Sequence, residues 1–414
     1  MEKLKQKIKD FLIYTQRYTH TDMIYLAKGG FWLTLGQIIS TGASFLLAVA
    51  FANLLDPVTY GNYKYILSLV GILGIFSLPA MGTAIIQAVA RGLEGSFYTA
   101  FKTKLKWGLL GSLTALGLAS YYFLRGNYLL SIPLLISAIF LPLMEASRVW
   151  GSFLGGRKLF NIQVKFNSLN RILSVSIMIT TLFLTKNLLW LIAVYFVSNT
   201  FLNFFFYLIT KGKFQPNKKE DPQTLSYGKH LSLMGIIGTI ANYLDRILIF
   251  HYLGAGEVAI YSFAIYPPEQ IKGLLKNVKP LALPKLSQKS KQEIKKTFFK
   301  KIIKFFLALL PITVAYIITA PFLYKLIFPQ YSQAVPYSQI FAISLIFTPI
   351  LPISVLESQM AIKEKYTITL FSGFSRIFLM SSLVLFYGIW GVIIGWVLAR
   401  FLTFLLALWS IKRL

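Results

Sequence analysis

The sequence contains no cysteine, which excludes disulfides, thiolate metal sites and cysteine nucleophiles. Its three histidines, His20, His230 and His251, are too scattered for metal-ligand spacing. Carboxylates are scarce, with 14 Asp and Glu against 42 Lys and Arg, for a net charge of +28. No phosphate-binding glycine loop or dinucleotide fingerprint occurs, which argues against an ATP-driven pump, and no cofactor is indicated. There is also no basic, aromatic-interleaved soluble segment, so the positive charge is not a nucleic-acid surface.

What the chain has in abundance is apolar surface. Of its 414 residues, 56% are hydrophobic and 16% aromatic, and the mean hydropathy is +0.64. Each membrane-spanning helix needs about 20 mostly apolar residues. Twelve such runs are read at 29–54, 63–90, 107–124, 128–153, 167–185, 189–210, 229–253, 258–276, 302–324, 337–361, 366–387 and 390–411. Lys and Arg alternate between the gaps and the run ends bordering them: 33 fall in or beside every second gap and at the two ends, four in or beside the intervening gaps (Lys64, Arg125, Lys186, Lys325), and five well inside the runs. Basic residues favour the cytoplasmic side, so this alternation predicts an all-α multi-pass protein of the cell membrane with both termini cytoplasmic. The basic cytoplasmic loops would also meet anionic lipid headgroups.

Residues 1–28 read as a cytoplasmic arm, with Leu4, Ile8, Phe11 and Leu12 on one face of an interfacial helix and lysines on the other. The apolar run that follows is too long for a signal-peptide core, so no cleavable leader is expected. Residues 29–210 and 229–414 form two six-span lobes joined by a polar, proline-containing linker at 211–228, read as a hinge. Another basic stretch, QEIKKTFFKKIIKFF, is amphipathic and is placed on the membrane surface. The segments LLDPVTYGNY (54–63) and YLGAGEVAIY (252–261) match at an offset that pairs Leu55 with Leu253 and Tyr63 with Tyr261. Equivalent hairpins in two six-span halves indicate a parallel repeat.

Ionisable groups inside a bilayer are costly and usually face a cavity or a partner. Those within the runs are Glu145, Arg148, Arg171, Asp245, Arg246, Glu269, Glu357, Arg376 and Arg400. Arg171 and Glu357 lie within snorkelling reach of a cytoplasmic end, and serve either as rim charges or in function. Glu145 and Arg148 can pair at i,i+3. Asp245 and Arg246 are adjacent and so about 100° apart on a helix, which directs them to different neighbours. Asn242 and Arg246 share a face, and Gln37, Thr41 and Ser44 form a polar stripe on the first span. Arg376 and Arg400 sit near mid-membrane with no carboxylate at i±3 or i±4. Either each pairs with Asp245 or Glu269 from another helix, or its guanidinium awaits phosphate or carboxylate. Pro267–Pro268, Pro349 and Pro352 interrupt spans, as expected near a cavity.

The chain resembles the multidrug/oligosaccharidyl-lipid/polysaccharide (MOP) exporter superfamily, and within it the Wzx-type flippases for lipid-linked oligosaccharides such as O-antigen precursors. The resemblance rests on GGFWLTLGQIIS (29–40), FANLLDPVTYGNYKYILSLVGILGIFSLPAMGTAIIQAVAR (51–91), NYLDRILIFHYLGAGEVAIYSFA (242–264) and KPLALPKLS (279–287), and runs nearly full length. It implies a MATE-like pair of six-helix lobes around a cavity open alternately to each side. It further implies a polyprenyl-diphosphate-linked glycan as cargo, bound by Arg148, Arg246, Arg376, Arg400, Gln37 and Asn242. Asp245, Glu269, Glu357 and Glu145 are then candidates for coupling to Na+ or H+, with Asp245 the best placed. Spans 11 and 12 hold no second carboxylate and offer Ser372 and Ser375 instead, which weighs against sodium. A monomer is expected, with other glycan-assembly membrane proteins as candidate partners. The alternatives are an ion-coupled multidrug antiporter, a channel, and a glycan polymerase or ligase; the last needs a larger external loop than any here.

Overall fold

The computed structural model describes residues 23–275, 286, 291–359 and 361–413. The expected interfacial helix at 1–20 and most of the 279–287 motif lie outside them. The described residues are helical, with no strand among them. In order they form α1 (Met23–Leu54), α2 (Pro57–Leu73), α3 (Met81–Ala90), α4 (Ser96–Leu124), α5 (Tyr128–Ser147), α6 (Val149–Gly156), α7 (Phe160–Leu184) and α8 (Leu188–Phe214). There follow α9 (Pro222–Met234), α10 (Ile236–Leu253), α11 (Ala255–Leu275), α12 (Lys291–Ile327), α13 (Val335–Ile343), α14 (Ile350–Ser358) and α15 (Ile362–Arg413). By length and composition, 7 of the described helices can cross a membrane, or 9 if the bent pairs α2–α3 and α9–α10 are each one span. The protein is a multi-pass membrane protein. The basic stretch QEIKKTFFKKIIKFF forms the first turns of the continuous helix α12.

Local chemistry explains the breaks. Asp56 caps α2, its carboxylate accepting the Thr59 N–H at 2.9 Å, with Pro57 in the first turn. The 52-residue α15 contains one non-helical residue, Gly388, at φ 56° and ψ −130°. There the chain reverses: a Cβ on Gly391 would collide with the Leu383 carbonyl, and one on Gly395 would lie 3.0 Å from the Leu379 carbonyl carbon. Small residues four apart let two antiparallel arms approach backbone to backbone. The predicted gap between 366–387 and 390–411 falls at this reversal.

Segments predicted to share a side of the membrane meet in space. At one end, Phe51, Tyr60 and Tyr63 pack with Phe263, Phe328 and Tyr331 in an aromatic cluster. There Gly61 of the first repeat hairpin lies against the Ala255 carbonyl of the second, so closely that no side chain would fit. The two hairpins matched in the sequence therefore pack on each other.

At the opposite end the α3–α4, α6–α7 and α8–α9 connections converge. Glu94 accepts from Arg157 Nε and Nη2 at 2.6 and 2.7 Å and from the Asn217 backbone N–H at 3.0 Å. Gly95 N–H donates to the Lys219 carbonyl at 2.8 Å, Thr99 Oγ1 to Glu220 at 2.6 Å, and Arg91 pairs with Asp221. The segment read as a hinge is thus bonded along its length to the first half. Helix α9 continues the attachment: Gly228 packs on Met81, and Ser232 Oγ accepts the Ala80 N–H at 3.2 Å.

Candidate functional site

Three helices of the first half carry polar stripes at helical spacing. These are Gln37 and Ser40 on α1; Asn167, Asn170, Arg171 and Ser174 on α7; and Asn199 and Asn203 on α8. Residues three and four apart share a face, and the three faces converge on a basin of about 380 Å³. Arg148 enters it from the break between α5 and α6. The asparagines are ordered by one another: Asn170 Nδ2 donates to Asn203 Oδ1 at 3.1 Å, Asn203 to the Asn199 carbonyl at 2.7 Å, and Asn199 to the Tyr195 carbonyl at 2.8 Å. Arg171 is held by a 2.6 Å bond from Nη2 to Ser44 Oγ, while its buried Nε–H has no partner among the described residues. Gln37 donates to Thr41 Oγ1 at 3.1 Å. The lining holds two arginines and no carboxylate.

Arg148 also borders a second basin, of about 370 Å³, with Tyr195, Thr239, Asn242 and Tyr243 in its wall. Glu145 lines that basin and accepts from Arg148 Nη1 at 2.6 Å, the i,i+3 pair anticipated from spacing. A smaller recess of about 210 Å³ adds Lys104 beside Glu145 and Arg148. Lys104 is buried inside α4 and Lys64 lies within α2, although the spacing of the apolar runs groups both with the charge between spans. Lys64 lies 5.3 Å from the Tyr60 ring centroid and within electrostatic reach of Arg171 and Arg246. The Asp56–Pro57 start signal places Lys64 two turns inside its helix, and was the clue available for it.

The remaining candidates lie away from these three cavities. Arg246 turns back on its neighbour: its backbone N–H and Nη1 both reach Asp245 Oδ1, at 2.8 and 3.3 Å, because the long side chain spans the angular separation of adjacent positions. Asp245 is buried, and its other oxygen accepts from Tyr261 Oη at 2.8 Å. Arg400 donates to Glu269 at 2.7 Å and to Ser344 Oγ at 2.7 Å, and Glu269 also takes Lys272 at 2.9 Å. Arg376 bonds the Ala241 carbonyl. The two guanidiniums lie 4.3 and 4.1 Å from the Trp396 ring centroid. Glu357 pairs with Lys365 at 2.9 Å. Arg246, Arg376, Arg400, Asp245, Glu269 and Glu357 line none of the three cavities, whereas Arg148, Gln37, Asn242 and Glu145 do. Arg400 makes the interhelical pair with Glu269 that the sequence offered as one of its two readings.

A family model described as "Polysaccharide biosynthesis protein" matches residues 26–275, more than half of the chain. The chain belongs to the polysaccharide biosynthesis protein family. The matched region contains every residue of the three cavities. This family member is 23% identical over 438 residues to a Shigella flexneri protein named "Putative O-antigen transporter", covering 94% of this chain and 98% of that one. Its fold is that of the MOP superfamily. An inward-facing multidrug resistance MATE transporter superimposes with a TM-score of 0.66 at 12% identity, over 90% of this chain and 94% of that one. The lipid II flippase MurJ in an inward closed conformation gives 0.68 at 14%, over 92% and 87%. A MOP superfamily transporter from Pyrococcus furiosus gives 0.61 at 14%, over 94% and 96%.

Proposed function

We propose that this family member is a transporter, and not an enzyme, that moves a polyprenyl-diphosphate-linked oligosaccharide from the cytoplasmic to the outer leaflet of the cell membrane by alternating access. The observation that carries this reading is the first basin, a membrane-embedded cavity with Arg148 and Arg171 in its wall and no carboxylate. Planar, permanently charged guanidiniums among amides and hydroxyls suit an oxyanion. An antiporter of organic cations would want carboxylates in that position, which favours the anionic cargo. The fold and the O-antigen relative support the same reading. The substrate's lipid tail stays in the bilayer.

Twelve crossings with both termini cytoplasmic complete the proposal. The count arises when the bent pairs are taken as spans together with both arms of α15, helix α11 and the broken α13–α14 segment. The aromatic cluster then closes the outer end, and the basins communicate with the cytoplasmic side. Asp245, bonded to Tyr261 and Arg246 at the seam between the halves, remains the candidate for coupling to H+ or Na+.

The test is complementation of a strain lacking its own flippase. Arg148→Gln with Arg171→Gln is expected to abolish surface glycan while the protein stays in the membrane and lipid-linked precursor accumulates inside. Full display by this double variant would overturn the assignment.

A further inference from the structure

The second basin differs from the first in chemistry, although Arg148 belongs to both. Where the first offers two arginines and a row of amides, the second offers two tyrosine rings, one amide and a carboxylate whose charge Arg148 already balances. Tyr243 comes from α10 of the second half, and the space for its ring exists because position 71 on α2 is glycine; a Cβ there would run into the ring. Tyr195 comes from α8 and is set edge-on against Tyr63, with centroids 6.4 Å apart and planes at 88°. The Asn242 side chain is exposed to the basin and makes no hydrogen bond within the protein among the described residues.

A pyranose ring has a face of C–H bonds and a rim of hydroxyls. The first packs on aromatic rings; the second is read by amides, which donate to and accept from hydroxyls, and by carboxylates, which accept from them, without requiring ligand charge. The basin, at about 370 Å³, falls within the usual range for small-molecule sites, about 300–1,000 Å³. An isoprenoid chain suits it poorly, since Glu145, Thr239 and Asn242 would be desolvated against hydrocarbon.

We infer that the second basin is a carbohydrate subsite, in which Tyr195, Tyr243 and Asn242 hold the sugar attached to the diphosphate while Arg148 and Arg171 hold the diphosphate next door. This rests on the proposed function and adds to it where donor specificity is decided. Because Tyr243 and Asn242 stand on the second half and Arg148, Tyr195 and Arg171 on the first, a sugar in this subsite touches both halves at once. A sugarless lipid diphosphate would engage the first half alone.

The experiment uses the full chain in lipid nanodiscs and two probes: polyprenyl diphosphate, and the same lipid bearing one N-acetylhexosamine. Wild type is expected to bind the sugar-bearing lipid about tenfold more tightly. Tyr243→Leu with Asn242→Ala should bring that ratio close to one while leaving affinity for the sugarless lipid unchanged. Tyr243→Phe, which keeps the ring, should retain most of the ratio. Arg171→Gln, at a residue of the first basin alone, should weaken both lipids alike. Equal binding of the two lipids by wild type, or a ratio that survives Tyr243→Leu with Asn242→Ala, or equal loss in the Phe and Leu variants, would overturn the sugar subsite with the diphosphate reading intact. Binding of neither lipid by wild type would overturn the diphosphate reading beneath it.

Discussion

Arg400 is the residue whose role the structure changes most, and it makes a sharp prediction. Its side chain is 6% exposed, against 31% for Glu269, and their atoms lie 2.7 Å apart. At an effective dielectric of about 20, unit charges about 4 Å apart attract by roughly 4 kcal/mol before desolvation is counted. Removing one member of a buried pair costs about 3–5 kcal/mol, mostly because the survivor is stranded. The two survivors are stranded unequally. After Arg400→Met, Glu269 keeps Lys272 and its partial exposure, so the loss should be about 2 kcal/mol, below that range. After Glu269→Leu, Arg400 keeps only Ser344 and its aromatic neighbours, so the loss should reach about 3–5 kcal/mol. The double variant should unfold like Arg400→Met rather than like Glu269→Leu, giving a coupling of about 3–5 kcal/mol. Denaturant unfolding of the purified protein in bicelles measures all three, with surface-glycan complementation run alongside. An Arg400→Met protein as stable as wild type that displays no glycan would refute the structural role and return Arg400 to the substrate.

Two further outcomes follow from the packing. The Arg157 guanidinium, with help from the Asn217 N–H, holds the Glu94 carboxyl below the usual carboxylate range. Its contribution is therefore complete above the unfolded value of about 4.3 and is lost as the pH falls through the lower folded value; hydrogen exchange at residues 215–221 should accelerate only in that acidic window, and Glu94→Gln should show fast exchange already at neutral pH. Gly391→Leu should leave little folded protein, because its side chain meets the Leu383 backbone, whereas Gly42→Leu, where nothing lies within 4 Å of an added Cβ, should fold normally by size-exclusion chromatography.

The elements were legible in the sequence because period and charge report on them locally. The hairpin matched at 54–63 and 252–261 does meet its counterpart, and the gap before 390 is a chain reversal at Gly388. Interhelical pairing was not legible in the same way. Arg400 and Glu269 are 131 positions apart, and a search at i±3 and i±4 on one helix cannot see across the bundle. Lys64 and Lys104 were absorbed into loop charge because hydropathy begins a span where apolar residues begin, while the helices start earlier, at Pro57 and Ser96. Arg171 looked like a snorkelling residue from its depth alone. Its place in the cavity comes from Asn167, Asn170 and Ser174 on the same face, a stripe that the spacing did contain.

The bonded connection at 215–221 has a mechanical consequence. A swivel must be free to change its dihedral angles, and this segment is tied to the first half by Glu94, Gly92, Gly95, Ser96 and Thr99. Helix α9 is fastened to α3 through Ser232 and Gly228, so it travels with that half as an outrigger. The next interruption along the chain is the 42° bend between α9 and α10 at Gly235. Seven residues beyond that bend stands Asn242, on the wall of the second basin. The bend and the basin wall are thus two turns apart on one helix, so a rotation at Gly235 would shift Asn242 and Tyr243 against Arg148 directly.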